Sequence, residues 1–260
     1  MTPASAAISG LAIVALVLAL VWAIQLKTRN AGMVDPVWSW SLGFLAIWYA
    51  SFGTAPAETR LLLGGLGGLW GLRLGSHLYF RNAGKPEDAR YAKFRREWGD
   101  SVNLKMFGFF QFQALIAWLL SVGFLVVAFR DGNASVSLMG LGVLIWVIAV
   151  AGEGIADWQM ERFKADPSTK GQVCQRGLWR YSRHPNYFFE SMHWLAYVPL
   201  AIGTGLWWVA IIPAAIMAWL LLKMSGVPIL EAHMVQSRPA YADYMRTTSM
   251  FIPWPPRSSG

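Results

Sequence analysis

Three groups of ionisable side chains recur at helical spacing in or beside apolar stretches, and each suggests a chemistry. Arg73, His77 and Arg81 stand four residues apart and share one helix face, with Tyr79 toward a different face. Snorkelling explains Arg81 alone, not Arg73 two turns deeper, so the stripe reads as the lining of a polar cavity or as pairing with a buried acid. Glu153, Asp157 and Glu161 repeat the same spacing. Acids near a helix C-terminus oppose its dipole, so they are expected to hold a cation or donors such as ribose hydroxyls, with Arg162, Lys164 or the 81–107 loop as simpler ion-pair partners. The third group is Arg180-Tyr-Ser-Arg-His-Pro-Asn-Tyr-Phe-Phe-Glu190. Pro185 suits the first turn of a helix, and Arg180, Arg183 and His184 at that start make a phosphate-binding arrangement. Asn186 and Glu190 then share the next face, with His193 and Trp194 a turn further on. Asp35, just before Pro36, reads either as a helix cap or as a cavity-facing carboxyl. In the second case burial keeps it protonated, able to donate a hydrogen bond to a substrate carbonyl.

These groups must be positioned by membrane helices. Of 260 residues, 55% are apolar and only 14% charged, well short of the quarter or so charged in soluble domains. The predicted fold is all-α and polytopic, one transmembrane domain over 1–260. Seven stretches are long and apolar enough to span: 5–26, 36–52, 60–80, 108–129, 135–158, 186–202 and 206–223. No basic residue precedes Lys27, so the first is expected to be a retained helix and not a signal peptide. With the N-terminus outside and the C-terminus cytoplasmic, 19 of the 22 Lys and Arg fall in the cytoplasmic segments 27–35, 81–107, 159–185 and from 223 on. That asymmetry accounts for most of the net charge of +8 without a nucleic-acid partner. The outer loops are short and the cytoplasmic ones longer. The expected partners are the lipid bilayer and a lipophilic substrate.

Gly64, Gly65, Gly67, Gly68, Gly71 and Gly75 crowd the third stretch. Their spacing of four suits close helix approach, and the Gly-x-Gly-x-x-Gly pattern of a dinucleotide fold is not met. The lone Cys174 and the scattered His77, His184, His193 and His233 give no metal-ligand spacing, so no metal is expected. The tail from Glu231 through Tyr244 to Pro253 is amphipathic, suited to a membrane surface or to closing over a ligand. Ser258-Ser259-Gly260 reads as a frayed end.

The run Gly177-Leu-Trp-Arg-Tyr-Ser-Arg-His-Pro-Asn-Tyr-Phe-Phe-Glu190, followed by His193-Trp194, closely resembles the C-terminal domain of the steroid 5-alpha-reductase family. The tail from His233 through Tyr244 to Ile252-Pro253 matches the same pattern, as does the acidic stripe ending in Asp157. The resemblance covers about 150–255 well and the N-terminal half weakly, and looks most like the bacterial branch, which places the chain in a bacterial inner membrane. It implies a seven-span, NADPH-dependent reductase acting on 3-oxo-4-ene steroids, with the cofactor in a cavity open to the cytoplasm. The positions implied for cofactor contact are Arg81, Asp157, Lys164, Asn186, Glu190 and His233, with Glu153 where the family can carry asparagine.

The family's catalytic pair, a glutamate and a tyrosine, holds the substrate ketone. Here Asp35 stands for the glutamate. The family's His-Tyr-x-x-Arg reads His77-Leu78-Tyr79-Phe80-Arg81, so Tyr79 or His77 would act in place of the tyrosine. Hydride would add to the enone's beta carbon while donors stabilise charge on the ketone oxygen. A different class is also compatible: a membrane methyltransferase of the isoprenylcysteine type, using S-adenosylmethionine. That family shares the Arg-His-Pro-x-Tyr motif at 183–187 and a Glu-rich tail that Glu231 fits.

Overall fold

The computed structural model describes residues 1–257; the tail 258–260, including the expected frayed end, lies outside the described residues. All regular structure among them is helical. Two compact units are formed, Met1–Ser135 with Leu200–Ala210, and Val136–Pro199 with Ile211–Gly260.

In the first unit, α1 (Pro3–Thr28) opens with a reciprocal cap between Thr2 and Ser5 and closes on Arg29 in the left-handed region, φ 53°. Its exposed face carries Ile8, Leu16, Leu20 and Ile24. Next come α2 (Val34–Phe52) and α3 (Ala57–Asn82), which pack as a pair. The glycines make that pairing possible. A Cβ on Gly71 would lie 2.6 Å from the Gly43 Cα, and one on Gly75 would lie 2.3 Å from the Trp40 indole. The two backbones therefore touch where any larger residue would force them apart. By contrast, Gly65 faces open space.

A charged stretch then folds as α4 (Ala89–Trp98), capped by Asp88, which accepts from the Arg90 backbone N–H. It runs through a short 3₁₀ turn into α5 (Val102–Leu120) and α6 (Val122–Ala128). Two of the arginines that fall outside the basic loops are spent on backbone carbonyls. Arg60 donates to Ala55 and Ala50 at 2.8 and 3.0 Å, and Arg130 to Leu200 and Ile202 at 2.5 and 3.3 Å.

The second unit is built on α7 (Val136–Ala165), a 30-residue helix with Leu141, Leu144, Val147 and Ile148 exposed. Against it lies the short α8 (Pro185–His193), where a Cβ on Gly152 would strike the Phe189 ring at 2.5 Å. The apolar run after α8 is not one helix. A 3₁₀ turn at Trp194–Ala196 precedes α9 (Tyr197–Ala201), and the next run passes from 3₁₀ (Trp207–Ile211) through α10 (Ile212–Trp219) to a π-helical turn at Leu220–Met224. Then α11 (Val227–Ser237) and α12 (Tyr241–Thr247) complete the unit.

Four helical runs are long and apolar enough to cross a membrane: Pro3–Thr28, Ala89–Ala128, Val136–Ala165 and Trp207–Ser237. They suggest a membrane protein associated with a lipid bilayer.

The glycine contact gives a direct expectation. Gly71→Ala should lower thermal stability in detergent by roughly 1–3 kcal/mol, because overpacking against backbone has no flexible side chain to absorb it. Gly65→Ala, placed in open space, should be neutral or slightly stabilising. Equal melting temperatures for the two variants would show that the α2–α3 contact does not depend on Gly71.

Candidate functional site

Each unit holds one buried polar network, and the second also carries most of the cofactor positions implied by the sequence. At its centre α7 packs on α8, and Asp157 of α7 meets Asn186 of α8. The Asn186 Nδ2 donates to Asp157 Oδ1 at 3.3 Å. The other end of the same amide, Oδ1, is buried and accepts no hydrogen bond from the protein. One turn on, Glu190 is buried and its Oε1 accepts from the Trp194 indole N–H at 3.3 Å. Glu153 is buried as well. A buried amide oxygen with no donor is costly unless a ligand group completes it. This corner therefore offers one acceptor and nearby carboxylates to a ligand bearing N–H or O–H groups. Lys164 and Arg180 are exposed on the same unit, and His233 is exposed on α11.

Arg183 and His184 take a different role from the phosphate donors expected at the start of α8. Both are buried, at 8% and 1% exposure, and both turn onto Glu231 of α11. The Arg183 Nε donates to Glu231 Oε1 at 2.7 Å, and His184 Nε2 lies 2.9 Å from the same oxygen. The Tyr241 hydroxyl donates to it at 3.4 Å. The remaining Arg183 donors reach the Met245 and Thr248 carbonyls at 2.8 and 2.9 Å. Tyr244 sets its hydroxyl against the carbonyls of Trp179 and Ser182. Burial, reinforced by the Glu231 carboxylate, pushes the Tyr241 phenol well above its usual value, and burial does the same to Tyr244. Both stay neutral donors across physiological pH. Of the three basic residues at the helix start, Arg180 alone is exposed.

In the first unit the centre is Asp35, in the first turn of α2. Its Oδ2 accepts from Arg90 at 2.7 Å and its Oδ1 from the Tyr91 hydroxyl at 2.7 Å. Asp35 is thus an ion-paired acceptor, not the protonated donor that its position before Pro36 invites. The proton-bearing group of the pair is Tyr91, which is 1% exposed. Arg90 also bridges to Asp88 through Nε at 3.0 Å. Burial works to raise the Asp88 carboxyl, but the bonds and charge of Arg90, with Arg81 beyond, hold it below its usual value. A second ion pair, Arg95 to Glu87 at 2.8 Å, pins this helix to the turn before α2, where the Ala31 N–H donates to Glu87 at 2.8 Å. His77 is half-buried on α3. Tyr79 is 38% exposed, with its ring 6.0 Å from that of Trp40. Asp35 is thus joined to Arg90 and Tyr91, which the sequence reading passed over. Their signal lies in Glu87-Asp88-Ala-Arg90-Tyr91, where acid, base and phenol alternate inside a segment read only as a basic loop. Among the described residues no cluster of His, Cys, Asp or Glu is placed to hold a metal.

Removing one partner from a buried ion pair leaves the other uncompensated. Glu231→Gln should therefore destabilise the protein by about 3–5 kcal/mol. Lys93→Ala, which removes an exposed pair with Glu97, should change stability by under about 1 kcal/mol. Chemical denaturation in mild detergent measures both, and a Glu231→Gln loss as small as that of Lys93→Ala would show that the network bears no load.

The chain is 26% identical to the Uncharacterized protein C594.04c of Schizosaccharomyces pombe, over 90% of this chain and 76% of that protein. No solved structure matches. A family whose description reads "Protein of unknown function (DUF1295)", and which includes steroid 5-alpha-reductase-like proteins, matches residues 21–248, spanning Asp35, Tyr91, Asp157, Asn186, Glu190 and Glu231. The chain belongs to this DUF1295 family.

Proposed function

We propose that this protein is a membrane-embedded, NADPH-dependent reductase of a lipophilic enone, with 3-oxo-4-ene steroids as the substrate class. The observation that carries the reading is the Asn186 amide. Its Nδ2 is fixed by Asp157 and its buried Oδ1 has no donor from the protein. A nicotinamide nucleotide presents a carboxamide N–H and ribose hydroxyls, the donors that such an acceptor and the neighbouring carboxylates Asp157, Glu190 and Glu153 would take. In this reading Lys164, Arg180 and His233 attract the phosphates, and Arg183 and His184 act indirectly by fixing the start of α8. The finer topology belongs to the same proposal: seven spans in a bacterial inner membrane, N-terminus outside, C-terminus cytoplasmic.

When bound, NADPH supplies hydride to the enone. The chain's own part is to orient the two and to stabilise charge on the ketone oxygen. We assign that donor to Tyr91. Its hydroxyl is buried and held at 2.7 Å by Asp35, a carboxylate–tyrosine pair of the kind the steroid-reductase resemblance calls for. Asp35 is then a positioning group, itself held by Arg90 at 2.7 Å. The phenol exchanges the carboxylate for the ketone as its acceptor. His77 and Tyr79 are the competing donors.

The test is NADPH oxidation by the purified protein with a 3-oxo-4-ene steroid, with the product identified by mass spectrometry. Asn186→Ala should weaken NADPH binding by roughly tenfold, the value of one or two lost hydrogen bonds. Tyr91→Phe should lower turnover by roughly 10²–10³ while leaving NADPH affinity within about twofold. Should Tyr91→Phe turn over normally while His77→Ala or Tyr79→Phe does not, the donor is on α3.

One observation favours a methyltransferase of the isoprenylcysteine type as second reading. The Arg-His-Pro-x-Tyr residues Arg183 and His184 bond directly to the tail carboxylate Glu231. Thermal stabilisation by S-adenosylmethionine but not by NADPH would replace the reductase reading with this one.

A further inference from the structure

The end of the described chain forms a pocket beside the Arg183–Glu231 network. Residues 245–257 fold back on the segment before α8 and enclose a cavity of about 320 Å³, lined in part by Arg183, Arg246, Thr247, Ser249, Trp254 and Arg257. Its wall is held by backbone hydrogen bonds: Arg183 N–H to Ser249 at 2.8 Å, Trp254 N–H to Tyr181 at 2.9 Å and Arg257 N–H to Thr247 at 2.8 Å.

The same bonds decide what the pocket presents. The carbonyls of Met245 and Thr248 accept from the Arg183 guanidinium. Those of Thr247 and Ser249 accept from backbone N–H groups, and that of Phe251 from the Ser182 hydroxyl. Five carbonyls of this segment are therefore already engaged. The lining holds three arginines and no carboxylate. Arg183 is spent on Glu231, which leaves Arg246 and Arg257. The partner of Arg246 is Asp243, in a surface pair whose side chains are 72% and 68% exposed, and such a pair competes weakly with a ligand. A donor-rich, acceptor-poor pocket with two guanidinium forks selects a tetrahedral oxyanion. Beside it Ile252 and Trp254 are exposed at 60% and 68%, an apolar and interfacial pair next to the charge.

We propose that this pocket binds a terminal phosphate group, with Arg246 and Arg257 as the ligating forks. Two sources carry that chemistry, a phospholipid headgroup and free phosphate in the cytoplasm. The exposed Ile252 and Trp254 favour the lipid, because they would enter the interfacial layer beside a headgroup held by the arginines. The ligating residues Arg246 and Arg257 have no part in the reductase reading, so the site stands independently of it.

The experiment is a titration of the full chain in neutral detergent with phosphatidic acid, phosphatidylcholine and inorganic phosphate, read by native mass spectrometry and thermal shift. One equivalent of phosphatidic acid should bind saturably, and phosphatidylcholine at least tenfold more weakly. Arg246→Gln with Arg257→Gln should weaken phosphatidic acid binding by tenfold or more. Arg246→Lys with Arg257→Lys, which keeps the charge and guards against misfolding, should recover part of it. Ile252→Ala should weaken the lipid and leave inorganic phosphate unchanged. Phosphate binding that follows the arginines, with no preference for the lipid, assigns the site to the free ion and also sustains the proposal. Binding of neither ligand, or binding unchanged in the Gln variant, overturns it.

Discussion

The second unit depends on one buried carboxylate. Glu231 collects Arg183, His184 and Tyr241, and through them fixes the loop that starts α8. None of these groups would be tolerated in so dry a place alone. A guanidinium out of water costs several kcal/mol unless its donors are satisfied. The carboxylate and two backbone carbonyls provide that satisfaction for Arg183. The reward is positional: α8 is held at one end by this network and along one side by the Gly152–Phe189 contact. The Asn186 amide then meets Asp157 without further adjustment. The chemistry proposed for α8 is therefore only as precise as a pair of charges that never touch a ligand.

The first unit solves a related problem with opposite means. Its α2–α3 contact is closest where Gly43 and Gly71 bring backbone to backbone. Such a contact leaves no freedom of rotation to the residues at the end of α2. Asp35 is consequently presented to α4 at a fixed angle, and Arg90 and Tyr91 meet its two oxygens separately. Rigid packing at one end of a helix allows a directional polar arrangement at the other.

Much of this was legible in the sequence, and the failures have specific causes. The long apolar runs of α1 and α7 announce themselves by length, and the glycine stripe of α3 by its spacing of four. The inward face shared by Asn186 and Glu190 also follows from spacing and the helix-starting Pro185. The runs after α8 were harder. They read as two plain spans, whereas the chain passes through 3₁₀ and π turns at Trp194–Ala196 and Leu220–Met224, which leave apolar composition unchanged. Helix α4 was passed over because a basic segment reads as a solvated loop, and its buried face consists of Tyr91 with paired arginines. The partner of Arg183 was beyond reach for another reason. Glu231 lies 48 residues further on, and periodicity carries no information over that distance. The same limit hid the acceptor role of Asp35, since only Arg90 and Tyr91 decide it.

The order in which the chain is made gives the backbone bond from Arg183 to Ser249 a further meaning. At a synthesis rate of about 5–20 residues per second, the partners of Arg183 emerge roughly 2–13 seconds after it does. During that interval the guanidinium has neither its carboxylate nor its carbonyls. The start of α8 is therefore not fixed until α11 and α12 are made. Assembly of this half of the protein is thus timed from its far end, and the corner holding Asn186 closes late.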